Sequence, residues 1–177
     1  MAEDNIEEFL DIKDILQALS ESKKTEIYNN GMMVEYGFNL NKGATDKEIS
    51  YLEKTVGYKV PDDYKEFLKF TNGLEFNHYD AEILNIDEMI SNTEIFDYPN
   101  HILVIATAMS SQLQIAINLL STDKTNKIYV VDPIADDYFI SIKSNFTDFL
   151  NRFLTSYGSD YWNWGLDTSD KILKTED

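Results

Sequence analysis

The sequence contains no cysteine. That excludes a disulfide framework, a nucleophilic thiolate and any zinc–thiolate site. Histidine is almost as scarce, with only His78 and His101. Two isolated imidazoles supply too few ligands for most zinc sites, and no H-E-x-x-H pair occurs. A serine triad needs a histidine base within reach, and no G-x-S-x-G is present. Ser110-Ser111 falls in a predicted turn, where serine is ordinary. No D-x-[DN]-x-[DN]-G calcium loop and no G-x-x-x-x-G-K-[ST] phosphate loop occurs either. Paired carboxylates at glycosidase spacing would arise by chance among so many acids, and nothing selects one pair. The expectation is a chain that is not an enzyme and holds no cofactor and no metal.

Positive charge is also in short supply. Fifteen lysines and arginines stand against thirty-two aspartates and glutamates, so 15 − 32 gives a net charge of −17. Such a chain repels phosphate backbones and anionic lipid, which argues against direct binding of nucleic acid or membrane. A basic protein partner would be attracted, although acidity also serves solubility alone. No apolar run approaches the ~20 residues of a membrane helix. The start, MAEDNIEEFLDIKD, lacks the basic region and apolar run of a secretion signal. These absences predict a cytoplasmic protein. Only three prolines and seven glycines occur, and no linker or repeat breaks the chain. One domain over residues 1–166 follows, with a polar acidic tail over 167–177.

What is present is organised around residues 44–76, ATDKEISYLEKTVGYKVPDDYKEFLKFTNGLEF. Thr45 and Glu48 have the spacing of a capping box. Ile49, Leu52 and Val56 follow at helical spacing, and Gly57 is a helix stop. Pro61 opens a second helix, where its missing N–H costs nothing. Tyr64, Phe67 and Leu68 give that helix an apolar face, and Asn72-Gly73 ends it.

Around this unit the pattern is coarser. Residues 3–20 predict a first helix with an acidic polar face. Residues 21–44 carry few helix signals and are punctuated by Asn29-Asn30-Gly31, Gly37 and Gly43. Met32–Tyr36 reads there as a short strand or an extended arm. Strands are predicted at 74–77, 81–84, 101–108, 112–120, 127–131 and 138–142, with a short helix from Asp87 to Ser91 and a polar loop at 92–100. Residues 112–120 alternate as a half-buried strand should. Asn145 caps a last helix with Phe146, Phe149, Leu150, Phe153, Leu154 and Tyr157 on one face, and Gly158 ends it. The aromatic end, Tyr161 to Gly165, is expected to fold back over the core or a sheet edge. Helices, then an antiparallel meander, then a helix packed on one face of the sheet give an α+β fold.

The central stretch resembles the signature of the SUKH superfamily. The matching residues are Glu48, Ile49, Leu52, Glu53, Gly57, Val60, Pro61, Asp63, Tyr64, Lys65, Phe67, Leu68, Asn72 and Gly73. The order of later elements is similar as well, although Met109-Ser110-Ser111-Gln112 stands where family members often carry a glycine-containing turn. The superfamily includes bacterial contact-toxin immunity proteins and the fungal Smi/Knr-type cell-wall regulators. The resemblance therefore implies a SUKH-like fold and a non-enzymatic immunity protein that binds and neutralises a cognate toxin. A nuclease toxin, with its basic groove, would suit the acidic chain. A regulatory or scaffold module is the alternative. Contacts with a basic partner are expected from acidic and aromatic residues in predicted loops: Tyr79, Asp80, Glu82, Asp132, Asp136, Asp137 and Tyr138.

Overall fold

The structure, a computed structural model, describes residues 11–21, 24–29, 31–77, 80–108, 112–123, 127–135 and 139–163. Its main body is a seven-stranded antiparallel sheet whose strands lie in chain order. The strands are β3 (Phe38–Leu40), β4 (Leu74–Phe76), β5 (Glu82–Ile83), β6 (Ile102–Thr107), β7 (Gln114–Asn118), β8 (Ile128–Val131) and β9 (Phe139–Ser141). Helices α2 (Asp46–Val56) and α3 (Asp62–Phe70) enter between β3 and β4, and α4 (Ile86–Ile95) enters between β5 and β6. Helix α1 (Ile12–Glu21) precedes the sheet and α5 (Phe146–Thr155) follows it. The α+β meander expected from the sequence is the architecture observed.

The central helices form for the reasons their sequences indicate. Thr45 caps α2: Glu48 Oε2 accepts from the Thr45 amide at 2.6 Å, and Glu48 N donates to Thr45 Oγ1 at 3.3 Å. Gly57 closes α2 in the left-handed conformation, φ 80°. Pro61 sits at the N-cap of α3, one position before the first helical residue. Helix α3 stops at Phe70 through an extended Thr71, so of the Asn72-Gly73 pair only Gly73 carries a positive φ, 96°. Asn145 caps α5 by accepting from Asp148 N at 2.7 Å.

Packing joins these pieces through aromatic rings. Phe146 of α5 packs on Tyr64 and Phe67 of α3, at centroid distances of 4.6 and 5.5 Å. Phe153 stands edge-on to Phe76 of β4 at 5.3 Å. The buried Tyr64 hydroxyl donates to Met89 Sδ of α4 at 3.1 Å. Tyr161 and Trp162, in a short 3₁₀ turn, pack against the same core. That agrees with the covering role expected of the aromatic end, while Trp164 and Gly165 lie outside the described residues.

Several expectations need correction. Residues 21–44 are richer in structure than they read. Thr25–Asn29 (β1) pairs with Met32–Tyr36 (β2) as a separate two-stranded ribbon, and β3 begins at Phe38. Helix α1 starts at Ile12, after Asp11, whose carboxylate accepts from Lys13 N; residues 3–10 of the expected helix lie outside the described residues. Helix α4 runs to Ile95 and takes up the first part of the predicted loop at 92–100. Its Asn85–Glu88 capping box stabilises a longer helix than the few apolar residues suggest. Strand β7 is not half-buried, because Gln114, Ile115, Ala116 and Ile117 are all buried. Successive residues point to opposite faces, so this strand is covered on both.

Candidate partner-binding surface

The predicted contact residues fall into two groups. Asp80 and Glu82 lie on the β4–β5 hairpin, Asp80 exposed and Glu82 half-buried. Asp132 follows β8, three strand spacings away, or roughly 14 Å across the sheet. Its carboxylate is engaged locally, accepting from Ile134 N at 2.9 Å. Its charge, second to burial, pushes the Tyr98 phenol up to about 12. Tyr79, Asp136, Asp137 and Tyr138 lie outside the described residues.

The hairpin group is larger than the sequence indicated. Glu75 on β4 stands directly opposite Glu82 on β5. Glu88, in the first turn of α4, adds a third carboxylate near Glu82. Burial, then the charges of Glu88 and Glu75, raise the Glu82 carboxyl above the ordinary glutamate range; a hydrogen bond with Thr107 opposes them. Like charges directly opposite on adjacent strands are destabilising. Glu88 was legible as the last member of an Asn-x-x-Glu capping box. The Glu75–Glu82 pairing depends on register, which local reading does not supply.

The glutamate of the helical signature has a different surrounding. Glu53 bonds Lys59 Nζ at 2.6 Å and Lys65 Nζ at 2.9 Å, and accepts from Val60 N at 3.1 Å. Burial alone would raise its carboxyl, but these three bonds outweigh burial and bring it down to about 2. Glu53 thus clamps the turn between α2 and α3. Asn72 acts similarly at another junction: its Oδ1 accepts from Ile86 N at 3.0 Å, supplying a partner for the first turn of α4.

Among the described residues no group of three or more histidines, cysteines, aspartates or glutamates is arranged to hold a metal ion. His101 packs edge-on to Tyr58 at 6.5 Å. A small cavity of about 110 Å³ lies between the C-terminal ends of α2 and α4 and strand β6, with Tyr98 in its wall. A larger open groove of about 470 Å³ lies between α1, Phe38 of β3 and the end of α5. Beside it, Tyr36 at the root of the β1–β2 ribbon packs on Tyr157 at 4.7 Å. Met32 and Met33 at the far end of that ribbon are 66% and 61% exposed. No helix among the described residues is long and apolar enough to cross a membrane.

The geometry therefore presents an acidic hairpin, an apolar groove and a separate two-stranded ribbon with an exposed far end. The family model described as SMI1 / KNR4 family (SUKH-1) matches residues 43–152, from the segment before α2 into α5. A Bacillus subtilis (strain 168) protein named "Uncharacterized protein YnaB" is 30% identical over 133 residues, covering 73% of this chain and 90% of that protein. With more than half of its length matched, and with the α2–α3 signature folded as described, the chain belongs to the SMI1/KNR4 (SUKH-1) family.

Proposed function

We propose that this chain is a non-enzymatic immunity protein of the cytoplasm that binds a cognate basic toxin and neutralises it. The observation that carries the reading is the carboxylate group on the β4–β5 hairpin. Glu75 and Glu82 face each other across two strands with Glu88 nearby, within a chain of net charge −17. Unpartnered, that arrangement costs stability; a basic surface docked on it removes the repulsion. Asp80 and Glu82 keep their predicted role as contacts, and Glu75 and Glu88 join them. Tyr79, Asp136, Asp137 and Tyr138 remain contact candidates by their chemistry, and Asp132 would contribute from a separate part of the surface. A nuclease is the toxin class such an acidic inhibitor fits best, because its substrate groove is basic.

The test uses the tagged chain as bait in extracts of its own cell, at low salt and again at ~0.5 M, where charge interactions are screened over a few ångströms. The reading expects one basic protein that arrests growth when produced alone and not when produced with this chain. Its retention should fall at the higher salt. Recovery of only signalling or wall-synthesis proteins would replace the immunity reading with that of a regulatory module.

A further inference from the structure

We propose that the groove between α1, β3 and α5 docks a basic amphipathic helix of the partner protein. This rests on the immunity reading and names a contact surface for it. The groove, about 470 Å³, has an apolar lining in which Ile15, Leu19, Phe38, Leu154 and Tyr157 take part. Asp14 supplies a carboxylate there, and Ala18 leaves room beside it as an exposed residue of α1. An apolar trough with one carboxylate, that of Asp14, at its border suits a helix that carries leucine-like residues at i, i+3, i+4 and i+7 and lysines beside them.

Charge selects the occupant. A second copy would bring another −17 to the surface. Residues 1–10 and 164–177 of the same chain are acidic as well. The first has four acids and no bases, net −4; the second has four acids and two lysines, net −2. Residues 11–21 carry three acids and one lysine, net −2, so all these candidates meet like charge at α1. A basic helix meets opposite charge. Helix α1 and Phe38 precede residue 43, where the family match begins, and Leu154 and Tyr157 follow residue 152, where it ends, so the groove comes almost wholly from chain outside the matched segment. That placement suits a partner particular to this chain.

The probe is a fluorescein-labelled leucine–lysine peptide of about 15 residues, the length at which a helix becomes stable, titrated by anisotropy at ~0.15 M salt. Ala18→Arg fills the groove from an exposed helical position that tolerates arginine. Ser50→Arg adds the same charge on exposed α2, away from the groove. The peptide should bind wild type and Ser50→Arg alike, and Ala18→Arg about tenfold more weakly. Equal binding by the two variants overturns the proposal, as does equal binding of a leucine–glutamate peptide. Dimerisation of the wild type in sedimentation velocity, abolished by Ala18→Arg, would make the occupant a second copy and overturn it too. The two readings also fail separately. A toxin captured equally by wild type and Ala18→Arg removes the groove and keeps the immunity reading. Groove-confined peptide binding with no toxin recovered keeps the groove and removes the immunity reading.

Discussion

Replacing Glu53 by glutamine tests how the two central helices are held together. In the wild type the Glu53 carboxylate is only 10% exposed and receives Lys59, Lys65 and the Val60 amide within 3.1 Å. These bonds outweigh burial and lower its pKa to about 2. An unfolded glutamate titrates near ~4.3, so the unshielded difference corresponds to ~3 kcal/mol. Lys59 is 84% exposed, and solvent screening there cuts the expected value to about 1–2 kcal/mol. The sign follows from the depressed pKa. The stabilisation is complete above the unfolded pKa and is lost as pH falls through ~4 towards about 2. Urea unfolding of wild type and Glu53→Gln at a series of pH values is the assay. Other carboxylates also titrate in acid, so the quantity to follow is the difference between the two proteins. It should be about 1–2 kcal/mol at pH 7 and shrink towards zero near pH 2. A difference independent of pH, or one below ~0.3 kcal/mol at pH 7, refutes the clamp.

Other substitutions separate backbone, cap and charge effects. A Cβ added at Gly73 would lie 2.9 Å from Ile83 O and 3.0 Å from Asn85 N, on a backbone with φ 96°, so Gly73→Ala should cost on the order of 2–4 kcal/mol in denaturant unfolding. Gly57 has a similar φ, 80°, but nothing within 4 Å of its added Cβ; Gly57→Ala should cost only about 1 kcal/mol, and equal costs would dismiss the close approach at Gly73. Asn72→Ala should cost about 1–2 kcal/mol by stripping the Ile86 amide of its partner, with native-state hydrogen exchange faster at the start of α4. The Glu82 carboxyl is raised, so its charge opposes folding above its folded pKa and the penalty disappears as pH falls below the unfolded one. Glu82→Gln should therefore raise the melting temperature at pH 7 and not below pH ~4, while weakening capture of the basic partner.

The parts of the fold that were legible carry their instructions locally. Thr45 with Glu48, Gly57, and Asn145 three residues before Asp148 each fix a helix end through bonds within one turn. The β1–β2 ribbon was signalled too, since Asn30-Gly31 between two β-prone runs is the strongest short hairpin pattern. Its second strand, Met32–Tyr36, is visible in the sequence, while Thr25–Asn29 is short and polar and gives little strand signal of its own. The burial of β7 was hidden for another reason. Gln114 reads as a solvent-facing residue, yet it is buried and its Oε1 accepts from Tyr98 O–H at 3.0 Å. The partner of that amide oxygen lies sixteen residues away, and no periodicity reports that. The acidic hairpin was half legible for the same cause: Glu82 and Asp80 stood out by composition, while Glu75 joined them only through strand register.

The signature that shows the family is almost wholly taken up by the fold. Glu53 clamps the α2–α3 turn, and Lys65 is one of its cations. Asp63 receives Tyr64 N at 2.9 Å and the Thr147 hydroxyl of α5 at 3.3 Å. Tyr64, Phe67 and Leu68 are fully buried, Asn72 supplies α4, and Gly73 passes close under β5. Side chains so engaged have little left to offer a partner. A family defined by them shares a scaffold and leaves its surface free to vary. Specificity should then reside where the signature does not reach: the β4–β5 carboxylates and the groove walled by α1. If so, exchanging α1 and the hairpin acids between this chain and a relative such as YnaB should exchange partner preference. Exchanging residues 45–73 should change stability and leave preference as it was. The reverse result would place recognition in the signature itself.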